Sequence, residues 1–238
     1  MAKIDKSKYT KQEWRVIRER RKFEKRLKEE LKDHEARQKY LNKLSGNFAF
    51  VLGNGTSRRS IDLNEIKNFG TVYGCNALYR EFTPDYLIAV DVKMIIEINR
   101  AGYQNTNTVW TNYNRTYKSM QNFKYFEPSR GWSSGPTALW LASQHGYRQI
   151  YILGFDYKGL DNGKLVNNIY ADTPNYKRNG DPATYHGNWL RQTKAVIKEH
   201  PHIKYFRVIQ PDNWCPPELN NLENLETITI DQFKSRLF

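Results

Sequence analysis

The sequence predicts an α/β fold in which a mostly parallel β-sheet is flanked by helices. The first observation is an apolar run, Phe48 to Leu52, that breaks into a glycine-rich turn at residues 53–57. The second is that strand-like and helix-like segments alternate along the chain from Gly46 onward. The third is the length, since 238 residues are enough for one substantial domain with its own core.

Residues 1–45 are predicted to form a long or once-broken helix that is strongly basic. The segment contains no glycine or proline, and it begins with a capping box at Thr10 and Glu13. It carries 16 Lys or Arg against 8 Asp or Glu, a net +8 of the chain's +13. One interpretation of residues 1–45 is a basic arm that binds nucleic acid or another acidic partner. The alternative, a solvated helix that packs a narrow apolar stripe on the domain or on a second subunit, stays open.

Residues 46–238 are predicted to form one Rossmann-like domain of alternating strands and helices. The predicted strands are Phe48–Leu52, Thr71–Cys75, Tyr86–Val90, Thr108–Trp110, Gln149–Leu153 and Lys204–Ile209. The predicted helices are Asp62–Asn68, Val92–Ala101, Ser134–His145, Asn188–Glu199 and Ile230–Leu237. Parallel strands with right-handed crossovers bury both faces of a sheet, so this pattern predicts a Rossmann-like architecture.

Polar residues follow four of the predicted strands. Gly53–Gly55 comes after the first strand, Asn76 after the second, Asp91 after the third and Asp156 after the fifth. Ligands of doubly wound sheets bind at the carboxyl ends of the strands, where we expect these residues to converge on one crevice. The pattern therefore predicts a nucleotide site at this edge of the sheet.

The glycine turn itself suits a phosphate. Gly53 and Gly55 permit close approach of backbone N–H groups to an anion, and a helix start follows them. Asn54, Thr56 and Ser57 add short polar side chains that can hold a ribose or a phosphate. The alternative is an ordinary tight turn, because neither the dinucleotide fingerprint nor the P-loop pattern is present.

The composition of the chain predicts a cytoplasmic location. The two cysteines, Cys75 and Cys215, show neither metal-ligand spacing nor a disulfide framework, which fits a reducing compartment. No apolar run approaches the roughly 20 residues that a membrane-spanning helix needs, and the N-terminus lacks a signal-peptide core. We therefore expect a cytoplasmic protein without a membrane span.

Residues 156–187 are predicted to form a lid or an acceptor-binding loop. The segment is rich in Asn, Asp, Gly, Lys and Tyr and lacks clear periodicity. Its tyrosines can cover a sugar or a base while their hydroxyl groups stay hydrated. Its basic residues could also grip a single-stranded or flipped base. The alternative is a partly disordered insertion.

Four segments occur together: Gly53–Ser57, the pair Cys75-Asn76, the turn Ser133-Ser134-Gly135 at a helix start, and Gly146–Asp156. Their combination resembles the bacterial sialyltransferases of glycosyltransferase family 42. It is also similar to the related 6-hydroxymethylpterin pyrophosphokinase-like family, which includes flagellin-modifying transferases, and the Pro84–Asp91 passage is closer to that group. The resemblance covers residues 48–210.

The resemblance implies an inverting glycosyltransferase that moves a sugar from a nucleotide-activated donor to an acceptor hydroxyl, on nucleic acid or on a surface glycan. It implies no required metal ion. The residues that it assigns to the nucleotide are Asn54, Thr56, Ser57 and Asn76, with Ser133, Ser134 and Gly135 at the ribose and donor. The residues that it assigns to catalysis are His186, as base on the acceptor, and Tyr170 and Lys158, at the departing phosphate.

Two other functions fit the same residues. In pyrophosphokinase-like relatives, acidic residues at strand ends hold Mg²⁺ on a nucleoside triphosphate, a role that falls here on Asp91. A third interpretation is a non-catalytic nucleotide-binding or assembly protein that the basic arm docks onto nucleic acid. A lone histidine such as His186 is otherwise a structural hydrogen-bonding group, and the sequence leaves the choice open.

Overall fold

A computed structural model describes residues 48–117 and 119–237, which form an eight-stranded sheet with every neighbouring pair of strands parallel. The predicted basic arm, residues 1–45, lies outside the described residues. The strands are β1 (Phe48–Leu52), β2 (Thr71–Cys75), β3 (Tyr86–Ile88), β4 (Val109–Asn112), β5 (Lys124–Phe126), β6 (Gln149–Leu153), β7 (Lys204–Ile209) and β8 (Leu225–Thr229). The longer helices are α1 (Leu63–Lys67), α2 (Val92–Arg100), α3 (Ser134–Gln144), α4 (Gly187–Glu199) and α5 (Ile230–Leu237).

The strand order across the sheet is β5-β4-β3-β2-β1-β6-β7-β8. The chain moves outward from β1 to β5, returns to lay β6 against the other side of β1, and then continues to β8. The order therefore reverses between β1 and β6, which pair from Phe48 with Gln149 to Leu52 with Leu153. In open parallel sheets, this reversal leaves a crevice beyond the carboxyl ends of the two strands, where ligands bind.

Helices cover both faces of the sheet because β1 sends alternate side chains into two cores. Phe50 and Leu52 enter a core that includes residues of α1, α2 and α5. Ala49 and Val51 enter the other core, which includes residues of α3 and α4. All four side chains are fully buried, as expected for a strand in the middle of a sheet that is covered on both sides.

The predicted α/β, Rossmann-like fold is confirmed, with six strands and five helices at the expected positions. The two edge strands, β5 and β8, were not among the predicted strands. β5 has only three residues, and β8 has the half-exposed sequence Leu225–Thr229, so neither shows the apolar run that marks a central strand. Within the described residues, no helix is long and apolar enough to cross a membrane.

Short 3-10 turns carry the chain between several strands and helices. They span Thr56–Ser60, Asn76–Arg80, Tyr103–Asn105, Arg115–Tyr117 and Pro217–Leu219. The first follows the glycine turn after β1 and the second directly follows β2, so both bend the chain away at the carboxyl edge of the sheet.

The loop after β6 contains one short helical turn, Leu160–Gly163, and isolated bridges that join Leu165 to Leu160 and to Pro182. Four of its asparagine and aspartate residues have left-handed backbone angles, a conformation that these residue types tolerate: Asp161, Asn162, Asp172 and Asn175. Its residue Ile169 donates a backbone hydrogen bond to the carbonyl oxygen of Asn54 over 2.8 Å. The loop is therefore attached to the turn after β1.

Candidate functional site

The loops after β1 and β6 meet at the reversal of strand order. The N–H of Gly53 donates to the carbonyl of Leu153 over 2.8 Å, and the N–H of Gly55 donates to the carbonyl of Gly154 over 2.9 Å. A Cβ atom at Gly53 would lie 2.5 Å from the Gly154 oxygen, and one at Gly55 would lie 2.5 Å from the Asp156 carboxyl carbon. Both glycines are therefore required by the close approach of the two loops.

Thr56 and Ser57 also bind within the protein. The backbone N–H of Thr56 donates to Asn167 Oδ1 over 2.9 Å, and its hydroxyl donates to the same atom over 2.8 Å. The N–H of Ser57 donates to Asp156 Oδ2 over 3.0 Å, and the Ser57 hydroxyl donates to Asp156 Oδ1. The N–H groups of residues 53, 55, 56 and 57 are thus paired with the loop after β6, whereas the sequence predicted that this turn would hold a phosphate.

A cavity of about 380 Å³ opens beyond the carboxyl ends of β1, β2, β3 and β6. We name it the donor cavity after the nucleotide donor expected from the sequence at this edge of the sheet. The loop after β6 forms one of its walls. Several residues predicted from the sequence line it: Gly53, Asn54, Gly55, Asn76, Asp91, Ser133, Ser134, Gly135 and Lys158. Thr56, Ser57 and Tyr170 are predicted site residues that do not line it.

The N-terminus of α3 faces the donor cavity. Ser133 is the N-cap residue and makes no side-chain capping bond, so the first N–H groups of the helix keep no partner within the helix. A helix N-terminus carries partial positive charge and binds anions such as phosphate. Gly135 lets the Phe155 ring pack closely against this end of the helix, because a Cβ there would approach the ring to 3.2 Å.

Asn76 is oriented by the buried hydroxyl of Ser134. That hydroxyl accepts a hydrogen bond from the N–H of Val90 over 3.1 Å and donates to Asn76 Oδ1 over 2.7 Å. Asn76 has a left-handed backbone with φ of 53°, which asparagine adopts more readily than most residues. Because Oδ1 is used, the amide nitrogen of Asn76 is available to a ligand in the cavity.

Tyr176 lines the donor cavity and was not among the predicted site residues. Its hydroxyl accepts hydrogen bonds from Asn54 Nδ2 over 3.2 Å and from the N–H of Ala77 over 3.3 Å. Burial raises the pKa of Tyr176 above its ordinary value, so the hydroxyl stays protonated and can donate to a ligand. Asn54 Oδ1 is buried without a hydrogen-bond donor among the described residues, which leaves one polar atom of this wall unpaired.

Tyr170 lies beneath the glycine turn instead of in the cavity. Its hydroxyl donates to Glu81 Oε1 over 2.5 Å and accepts from Arg58 Nη2 over 3.0 Å. The same arginine donates through Nε to the carbonyl of Gly53 over 2.7 Å. Desolvation raises the pKa of Tyr170, which keeps it a neutral donor to the Glu81 carboxylate. Tyr170 therefore supports the turn, whereas Tyr176 lines the donor cavity.

A second cavity of about 540 Å³ adjoins the first, and we call it the outer cavity. The residues common to both walls are Lys158, Gly159, Ala183 and Thr184. His186, at the start of α4, lines only the outer cavity, between the rings of Tyr185 at 5.4 Å and Trp214 at 4.9 Å. Tyr185 is 79% exposed, so the outer cavity has an accessible aromatic wall beside an imidazole.

Arg207 forms hydrogen bonds to one wall residue of each cavity. This side chain on β7 is 1% exposed and donates to the carbonyl oxygens of Phe155 and Trp214, each over 3.1 Å. Its guanidinium also lies 5.2 Å from the centre of the Tyr157 ring. Sequence reasoning did not identify Arg207, although a charged residue within the apolar strand Lys204–Ile209 is a recognisable signal.

Asp91 contributes a carboxylate to the wall of the donor cavity at the end of β3. It is the N-cap residue of α2 but makes no side-chain capping bond, and desolvation raises its pKa. Cys75 also lines the cavity, and burial raises the pKa of its thiol to about 12, so the thiol is neutral. Within the described part of the chain, no three His, Cys, Asp or Glu side chains lie close enough together to hold a metal ion.

Comparison with protein-family models, with curated protein sequences and with solved structures finds no match to this chain.

Proposed function

We propose that this protein transfers a sugar from a nucleotide-activated donor to an acceptor hydroxyl. The observation that carries the proposal is the pair of adjoining cavities with Lys158 in their common wall. One cavity offers a helix N-terminus, an oriented asparagine amide and a lysine, which suit a nucleotide phosphate. The other offers an imidazole, the exposed ring of Tyr185 and the half-buried ring of Trp214, which suit a hydroxyl-bearing acceptor.

The donor's phosphate would lie against the N-terminus of α3, between the Asn76 amide and the Lys158 ammonium group. Lys158 and Lys177 are cations of the donor-cavity wall that come from the loop after β6. The partial charge of the helix and the full charge of a lysine both stabilise a dianionic leaving group without a metal ion. A neutral Tyr176 hydroxyl adds a hydrogen-bond donor in place of the expected Tyr170.

Transfer would proceed by direct displacement with inversion at the anomeric carbon. A ring nitrogen of His186 accepts the proton of the acceptor hydroxyl while that oxygen forms the new bond to the anomeric carbon. The bond from the anomeric carbon to the phosphate oxygen breaks, and its electron pair stays on the phosphate. Lys158, between the two cavities, stabilises the developing charge at this oxygen.

A nucleotide panel tests the proposal. Thermal unfolding of the full chain is measured in EDTA with CMP, UDP, GDP and ATP. A nucleotide that binds the folded protein and is present at 100 times its Kd should raise the free energy of unfolding by about 2.7 kcal/mol. Sugar donors of the best nucleotide are then assayed for hydrolysis and transfer. Stabilisation by no nucleotide contradicts the proposal, and stabilisation without any turnover favours the non-catalytic binding protein.

A magnesium-dependent phosphoryl or pyrophosphoryl transferase is the second candidate, because the Asp91 carboxylate lines the donor cavity without an internal partner among the described residues. One or two carboxylates together with substrate phosphates are a usual Mg²⁺ site. Activity on ATP that is lost in EDTA, restored by Mg²⁺ and absent in Asp91→Asn would support this candidate over sugar transfer.

A further inference from the structure

We propose that Asp91 binds the vicinal hydroxyl groups of the donor's ribose and selects ribonucleotides over deoxyribonucleotides. The inference rests on the proposed function, because it concerns a further contact of the same donor. It is carried by the placement of Asp91, which lines the donor cavity after β3, whereas Asn76 follows the neighbouring β2 and Lys158 belongs to the loop after β6.

Helix α2 makes no use of the Asp91 carboxylate. Aspartate at an N-cap usually accepts hydrogen bonds from the first turn of its helix, but Asp91 makes no such bond to α2. Instead, the backbone carbonyl oxygen of Asp91 accepts a hydrogen bond from the N–H of Ile95 over 3.0 Å. No ion pair or hydrogen bond to its side chain occurs within residues 48–117 and 119–237. Both carboxylate oxygens are therefore left for a ligand.

Sheet geometry separates the ribose and phosphate ends of the cavity. Asp91 follows β3, whereas Lys158 belongs to the loop after β6, and these strands are three positions apart in the sheet. With neighbouring strands ~4.8 Å apart, the two strand ends are separated by roughly 14 Å. Asn76 follows β2, between them, and contacts the N-terminus of α3 through Ser134. A phosphate at α3 would leave the nucleoside on the Asp91 side.

The chemistry of this wall favours a diol. A carboxylate repels phosphate, so the ligand group beside Asp91 is a hydrogen-bond donor or a cation. Its two oxygens can accept from two neighbouring hydroxyl groups. The vicinal hydroxyls of ribose are the paired neutral donors that every ribonucleotide carries. Removing one of them in a 2′-deoxynucleotide leaves a carboxylate oxygen desolvated and unpaired.

Calorimetric titration in EDTA tests the inference with CMP, UDP, GDP and ATP and their 2′-deoxy counterparts. The best ribonucleotide should bind wild-type protein about 10- to 100-fold more tightly than its deoxy form, the range for a hydrogen bond to a charged group. In Asp91→Ala the two forms should bind within about threefold of each other. Asp91→Asn, which keeps one acceptor oxygen, should show an intermediate preference. Glu223→Ala, an exposed carboxylate near β8, is the matched control and should keep the wild-type preference.

The outcomes separate this inference from the proposed function. Absence of binding by every nucleotide overturns the proposed function, and this inference with it. Binding with equal affinity for both forms, or a ribose preference that survives in Asp91→Ala, overturns the inference alone. Ribonucleotide binding that needs Mg²⁺ and is lost in both Asp91 variants assigns the carboxylate to a metal and also overturns it. The melting temperatures of both Asp91 variants should equal that of wild type, because the Asp91 side chain makes no capping bond. This measurement excludes unfolding as the cause of a changed affinity.

Discussion

The carboxylate of Asp156 accepts hydrogen bonds from both the backbone N–H and the hydroxyl group of Ser57. Both residues are almost completely buried, at 6% and 4% exposure. This pair joins the loop after β1 to the loop after β6, at the place where the strand order reverses. The donor cavity therefore depends on a buried polar contact between two loops that are distant in the sequence.

Asp156→Ala should lower the free energy of unfolding by about 1.5 to 3 kcal/mol, because it removes a charged acceptor and leaves buried donors of Ser57 unpaired. Urea denaturation followed by circular dichroism measures the change. Glu223→Ala removes an exposed carboxylate and should stay within about 0.5 kcal/mol of wild type. Equal stability of the two variants would contradict a structural role for Asp156.

Gly55→Ala should destabilise the protein by about 1 to 3 kcal/mol, because the new Cβ would lie 2.5 Å from the Asp156 carboxyl carbon. Gly180→Ala is the matched control, since a Cβ at that position meets nothing within 4 Å. Its stability should remain within about 0.5 kcal/mol of wild type. The same melting temperature for both alanine variants would show that the loops have room to separate.

The sequence predicted which strand-end residues line one cavity better than the contacts that each of them makes. Gly53 and Asn76 directly follow β1 and β2, and Asp91 comes soon after β3, so they line one cavity because parallel strands end at one edge of the sheet. Strand ends can be located from apolar runs and the polar residues that follow them. The reversal of order between β1 and β6 depends on pairing across about a hundred residues, which no local pattern encodes.

Local sequence could not decide whether Tyr170 or Tyr176, both in the loop after β6, lines the donor cavity. Tyr170 and Tyr176 have similar polar surroundings in the chain, but only Tyr176 lines the donor cavity. The backbone between them turns through left-handed residues at Asp172 and Asn175, and those turns decide which ring enters the cavity. The partners of Tyr170, Arg58 and Glu81, lie about a hundred residues earlier and become neighbours only in the folded chain.

Asn76→Asp should weaken binding of the best nucleotide about 10- to 100-fold, because it replaces an amide donor with a carboxylate near the phosphate. Aspartate tolerates the left-handed backbone, so the melting temperature should change little. Asn122→Asp is the matched control, since Asn122 also has a left-handed backbone, with φ of 67°, but does not line the cavity. Calorimetric titration that finds equal affinity in both variants would remove Asn76 from the site.

Lys158→Met should weaken binding of a nucleoside diphosphate at least tenfold while leaving the affinity of the matching nucleoside unchanged. The difference arises because the ammonium group acts on phosphate charge and not on the base or ribose. Lys164→Met removes an exposed lysine of the same loop that lines neither cavity. That variant should bind both ligands like wild type. A parallel loss of nucleoside affinity in Lys158→Met would indicate a disturbed loop instead of a lost phosphate contact.

His186→Ala should lower the turnover of sugar transfer by roughly 10²- to 10⁴-fold, the usual contribution of a general base. Nucleotide affinity should stay within about twofold of wild type, because His186 lines the outer cavity but not the donor cavity. His202→Ala changes an exposed histidine before β7 and should retain full turnover. Steady-state kinetics with the best donor, together with calorimetric titration of its nucleotide, measure both effects. Unchanged turnover in His186→Ala would mean that another group accepts the acceptor's proton, whereas a joint loss of turnover and nucleotide affinity would mean that the ring holds the shared wall in place.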